Sequence, residues 1–234
     1  MMIKKIALLV VCFQLVSCTE LQNILGTVGA DQLTSEQIGN GLKQALEIGI
    51  GKGSDRLSAV DGYLKSQYKI LLPEQAQQLT NRLQKVPGFD KVEDKMIERI
   101  NRAAEDAAKS AKPIFVSAIK QITFQDAMGI LKGEKNAATQ YLNLTTQTQL
   151  YNEFQPVIVR SLNKFNVLDY WEDAINTYNK IPFVEKMNPR LDDYITNRAL
   201  DGLFSMVEKE ELNIRNNISA RTSDLLKKVF ALQD

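Results

Sequence analysis

Two sets of charged residues in this chain have the types and spacing to do chemistry. Across residues 190–215, Tyr194, Asp201, Glu208 and Arg215 recur every seven positions, and Glu211 lies between Val207 and Ile214 on the adjoining apolar stripe. A seven-residue repeat stays close to one face of a helix. Glu208 and Glu211 are one turn apart, about 5–6 Å between Cβ atoms. Glycoside hydrolysis needs two carboxyls at a set separation across the scissile bond, so this pair is a candidate. The competing expectation is structural. An isolated buried carboxylate is costly, and Arg215 stands four residues beyond Glu211, within reach along the helix. In the second set, Glu98, Arg102 and Asp106 are spaced by four, with Glu105 three beyond Arg102. That spacing lets Arg102 bridge Glu98 and Asp106, and makes a solvated or interhelical charge network the leading expectation. If the two helices pack together, both sets could share one polar core.

Composition removes many other chemistries. The 234 residues include no histidine and only two cysteines, Cys12 and Cys18. Ser-His-Asp and Cys-His catalysis are therefore excluded in their usual forms, as are zinc sites built from Cys and His. Acid–base work would fall to Asp, Glu, Lys or Tyr. A metal would have to sit among oxygens, as Ca²⁺ or Mg²⁺, and no metal site or cofactor is assigned. A formal charge of +1 gives no basic field to hold nucleic acid.

The elements that must position these groups read as helices. Ile38, Leu42, Ala45 and Leu46 share one face of a first helix, with Thr34 and Gln37 at capping-box spacing. "GIGKGS", 49–54, reads as its stop followed by a mobile loop. As a phosphate loop it fails, because Gly51-Lys52 is followed by Gly53 and position 46 is Leu. Tyr68, Ile70 and Leu72 alternate before Pro73, which leaves room for a short β-strand or ribbon near 61–72. Further helices follow at about 74–85, 90–111, 113–121, 124–132, 137–144, 146–164 (bent at Pro156), 168–179, 190–215 and 222–231. The expected fold is all-α, a single domain of about eight to ten helices over 34–234.

The amino-terminal stretch carries an address. Lys4 and Lys5 precede an apolar run from Ile6 to Val16, the layout of a secretory signal and shorter than the about 20 residues a spanning helix needs. The run ends in Leu15-Val16-Ser17-Cys18, the pattern of a bacterial lipobox. The expectation is a signal peptide over 1–17, lipidation at Cys18, and a tether over 18–33. Cys12 fails the same test because bulky Val11 precedes it. Two or more acyl chains give stable membrane attachment, and Thr19 after the anchor, in place of Asp, points to the outer membrane by analogy with enteric bacteria. Without Lys4 and Lys5 the mature charge is −1.

The blocks "GLKQAL" (41–46), "DGYL" (61–64), "NRAAEDAA" (101–108), "DAMGILKGEKNAATQYL" (126–142), "DDYITNRALDGLF" (192–204) and "EELNIRNNISARTSDLLKKVF" (210–230) resemble the bacterial family of domain of unknown function 4197. The resemblance runs in consistent order over roughly 35–234. It departs at Leu71, where the family often has Pro in "IKIPLP", and at Ile218, where it often has Pro after Asn. The resemblance implies a small, mostly helical envelope protein and no reaction. It adds weight to Asp61, Arg102, Glu105, Asp126, Asp201, Glu211, Arg215 and Arg221, which with Glu208 form the candidate polar cleft. The functional expectation is an envelope lipoprotein facing the periplasm, whose domain binds an envelope protein or a small ligand. A carboxylate-dependent hydrolase of an envelope polymer and a purely structural tether are the alternatives.

Overall fold

Apolar residues at three- and four-residue spacing form the helices, and almost all of their apolar faces are buried. The computed structural model describes residues 33–186 and 190–234. Residues 35–234 form one compact unit; the expected signal and lipid site, and the tether as far as residue 32, lie outside the described residues. Among the described residues nine α-helices follow in chain order: α1 Ser35–Leu57, α2 Glu74–Leu83, α3 Val92–Ala108, α4 Ala111–Gln121, α5 Ala127–Lys132, α6 Ala137–Lys164, α7 Val167–Tyr178, α8 Leu191–Asn216 and α9 Asp224–Phe230. The fold is all-α, with no strand among the described residues. No described helix is long and apolar enough to cross a membrane.

α1 is the central element. It packs most extensively on α8 and also meets α4, α5 and α9, while α6 covers α8, α3 and α4. The glycine-rich stretch does not end α1: residues 49–54 are helical. Glycine is a poor helix former, yet here its missing side chain lets two helices meet. A Cβ on Gly49 would lie 3.0 Å from Val207 Cα, and one on Gly53 would lie 2.8 Å from Met206 Cβ. The partners descend along α8 as α1 advances, so the two helices run antiparallel. Their burial, which a reading of local propensity does not see, outweighs the propensity penalty.

The turn after α1 replaces the expected ribbon. Asp61 adopts a left-handed φ of 67°, and a Cβ on Gly62 would lie 2.5 Å from the Arg56 carbonyl oxygen. Tyr63 is then buried, its hydroxyl donating to the Ala199 carbonyl of α8 at 2.8 Å. Residues 69–73 are neither helix nor turn. They have no strand partner because a side chain takes that place: Asn101 of α3 accepts from Ile70 N–H and donates to Ile70 C=O, both at 2.8 Å. The expected helices 137–144 and 146–164 are a single α6. The Thr145 and Thr146 hydroxyls bond back to carbonyls of the preceding turn, and the helix continues through Pro156.

Candidate functional site

The charged stripe of α8 divides into a buried half and an open half. Glu211 is fully buried. Its Oε2 accepts from Thr139 N–H at 2.8 Å and from the Thr139 hydroxyl at 2.6 Å, and its Oε1 accepts from Ala138 N–H at 3.1 Å. Those amides open α6 and have no intrahelical partner. Asn136, at the N-cap, makes no side-chain cap bond. Glu211 therefore caps α6 from another helix, where a negative charge also suits the dipole.

Arg215 does the reverse. It donates from Nε to Glu211 Oε1 at 2.9 Å, and its Nη1 and Nη2 donate to the Leu131 and Ile130 carbonyls at 2.6 and 3.2 Å. These carbonyls end α5. The i,i+4 pair expected from spacing thus forms, and it brackets the two facing helix ends. Arg221 closes α8 in the same way. It donates to the Ile214 and Arg215 carbonyls at 3.1 and 3.0 Å and makes a two-pronged pair with Asp234 at 2.6 and 2.7 Å. The Arg221 guanidinium holds the Asp234 carboxyl below its ordinary range.

The second set is rearranged. Arg102 does not bridge Glu98 and Asp106; it donates to Glu105 at 2.7 Å and to Asp61 at 2.8 Å. Glu105 in turn accepts from Tyr63 and Leu64 N–H at 3.2 and 3.1 Å. The cluster pins the turn after α1, and hydrogen bonds from Lys65 and Arg102 lower the Asp61 pKa. Asp106 instead meets Lys109, Lys164 and Ser161. The two sets do not merge into one polar core: no hydrogen bond or ion pair among the described residues joins Asp61, Arg102 and Glu105 to Glu211, Arg215 and Arg221. Asp126 stands apart as the N-cap of α5, accepting from Gly129 N–H at 2.7 Å. Glu208 accepts from Asn136 at 2.9 Å.

Among the candidates Arg215 edges a recess with Lys135 and Gln233, and Asp201 faces an open groove. Its side chain is 65% exposed and pairs with Arg198 at 3.4 Å. The groove, about 340 Å³, runs between residues 67–71 and one face of α8. That face presents Tyr194, Arg198, Asp201 and Ser205, with Gly202 lying against the buried Tyr63 ring. The Arg198 guanidinium lies 5.3 Å from the Tyr194 ring centre. A larger depression, about 810 Å³, lies where α1 and α8 meet and includes Lys52, Arg56, Met206 and Lys209. The Lys52–Glu210 ion pair links its two walls. The smaller groove is the stronger candidate because it joins charged, aromatic and backbone polar groups on two different elements.

Residues 32–231 match the family described as Protein of unknown function (DUF4197). The chain belongs to that family. No match is found among curated proteins or solved structures. The DUF4197 domain here is thus a helical domain of unknown function. No group of three or more His, Cys, Asp or Glu among the described residues could hold a metal ion. Sequence reasoning missed Asn101, although it lies in a quoted block. It also missed Lys69, which lies in a loop, and Arg198 and Ser205, which stand four residues after Tyr194 and Asp201 on the same helix face.

Proposed function

We propose that this DUF4197 protein is an envelope lipoprotein, anchored through Cys18 in the outer membrane, whose periplasmic domain binds a ligand or partner and does not catalyse a reaction. The carrying observation is how the charged side chains are used. Both Glu211 oxygens are occupied by α6 amides and Arg215, so the Glu208–Glu211 pair presents no free carboxylate pair to a substrate. The groove along Tyr194, Arg198, Asp201 and Ser205 remains open, with the mixed side chains of a recognition surface. The lipobox at residues 15–18 supports the anchor.

Two experiments test this reading. Cys18→Ser should move the protein out of the membrane fraction; persistence of the variant there, resistant to salt, refutes the anchor. A photoreactive residue placed at Ser205 in the full-length chain, in its own envelope, should form a discrete adduct of protein, saccharide or small molecule. The same residue at exposed Leu144 on α6 should not. No adduct at Ser205 refutes binding in the groove.

A further inference from the structure

The segment beside the groove pairs its backbone with a side chain on one edge only. Asn101 occupies both backbone groups of Ile70, and the side chains alternate as in a strand: Ile70 and Leu72 are buried while Leu71 is 50% exposed. In extended backbone, successive residues direct their N–H and C=O to opposite edges. The Leu71 N–H and C=O and the Lys69 C=O therefore point away from Asn101. No hydrogen bond engages these three groups among the described residues. Leu71 also lines the groove, opposite the α8 face of Tyr194, Arg198, Asp201 and Ser205. An open strand edge facing a helix across a cleft is the geometry in which an extended peptide binds by strand addition.

Charge and ring geometry narrow the occupant. Arg198 already pairs with Asp201, so Lys69 is the positive charge in the lining without a carboxylate opposite it, which favours a segment carrying a carboxylate. Arg198 already covers the Tyr194 ring, so that face is not free to stack on a sugar, whereas a peptide backbone repeats its own N–H and C=O groups at strand spacing.

We propose that the groove takes an extended, acidic peptide segment of a partner protein, added as a strand to the Lys69–Leu71 edge and clasped by α8. This rests on the binding reading above and names its ligand class. The segment's backbone accepts from Leu71 N–H and donates to the Leu71 and Lys69 carbonyls, while its carboxylate meets Lys69.

The test is to pan a phage library of random dodecapeptides against the full-length chain in detergent micelles. The best enriched peptide is then synthesised, titrated, and its effect on amide hydrogen exchange mapped. Enriched sequences should carry Asp or Glu, and the bound peptide should slow exchange at Leu71 by about tenfold or more, as a new backbone hydrogen bond requires. Leu71→Pro removes the N–H and should weaken binding by about tenfold or more, whereas Leu71→Ala keeps both backbone groups and should stay within about threefold. Equal binding by wild type and Leu71→Pro overturns the proposal, as does a library that enriches nothing. If Leu71→Pro fails to fold, exchange at Leu71 in the wild type decides: protection supports strand addition and its absence overturns it. A saccharide or small-molecule adduct at Ser205, with no peptide enriched, leaves the binding reading standing and removes the peptide.

Discussion

Replacing Glu211 by Gln tests whether this carboxylate is a bracket for helix ends. The change is nearly isosteric, so it creates no cavity, and its effect is electrical. In the wild type one oxygen accepts from Thr139 N–H at 2.8 Å and the other from Ala138 N–H and Arg215 Nε at 3.1 and 2.9 Å. A glutamine must turn an NH₂ donor towards one of these donor groups. It also leaves the 4%-exposed Arg215 side chain without its counter-ion, though still bonded to the Leu131 and Ile130 carbonyls. Removing one member of a buried pair costs about 3–5 kcal/mol. For a domain of this size each kcal/mol shifts Tm by about 2–4 °C, so Glu211→Gln should melt about 6–20 °C lower. Urea unfolding followed by circular dichroism gives the free energy directly, with an unchanged slope showing that cooperativity persists. The double variant Glu211→Met with Arg215→Met separates a cap from a simple ion pair. Apolar replacement of a buried pair is often neutral, but here it strands the α6 amides and α5 carbonyls, at about 1–3 kcal/mol for each unsatisfied group. A Glu211→Gln variant within about 1 kcal/mol of wild type, or a double variant as stable as wild type, refutes the bracket reasoning.

Three further outcomes follow from particular contacts. Gly53→Ala should destabilise by about 1–3 kcal/mol, because its Cβ would sit 2.8 Å from Met206 Cβ. Gly51→Ala, whose Cβ meets only the Lys112 side chain at 3.8 Å, should stabilise by about 0.5–1 kcal/mol; thermal melts showing the same sign for both would sink the packing account. Asn101→Ala removes the partner of both Ile70 backbone groups and should cost about 2–4 kcal/mol, since two buried backbone groups lose their bonds; hydrogen exchange at Ile70 should quicken in proportion. Asp61 has its pKa lowered by Lys65 and Arg102, and Asp234 by Arg221. A depressed carboxylate adds stability above its unfolded value of 3.8 and loses it as pH falls through the lower folded value. Stability should therefore drop as pH falls below about 4, and Asp61→Asn should flatten that slope; an unchanged slope in urea titrations would contradict it.

Where the sequence is misleading, the cause is a long-range contact. Gly49 and Gly53 read as a helix stop, but Val207 and Met206, some 150 residues on, turn the missing Cβ into a packing surface. The alternation of Tyr68, Ile70 and Leu72 suggests a strand, but Tyr68 lies in a turn and only Ile70 and Leu72 are buried on alternate positions. That the partner of Ile70 is the Asn101 amide and not a strand depends on where α3 lies. Arg102 is four residues from two acids, yet it turns to Asp61 because the tight turn after α1 brings that carboxylate to 2.8 Å.

The sequence by itself determined the class of the fold, through apolar spacing that needs no distant information. It also determined what chemistry is missing, because a chain without histidine cannot run histidine catalysis in any fold. It placed Glu211 and Arg215 within reach of each other, since a helix brings i and i+4 together. Only the tertiary structure decided what that pair does. The α6 amides lie 72 and 73 residues from Glu211 and the α5 carbonyls 84 and 85 from Arg215. The unsatisfied groups at a helix end have no fixed offset to the side chain that answers them. The groove beside Leu71 is of the same kind. Its two walls come from a loop and a helix more than a hundred residues apart, and Tyr63, just before that loop, bonds the Ala199 carbonyl of the helix.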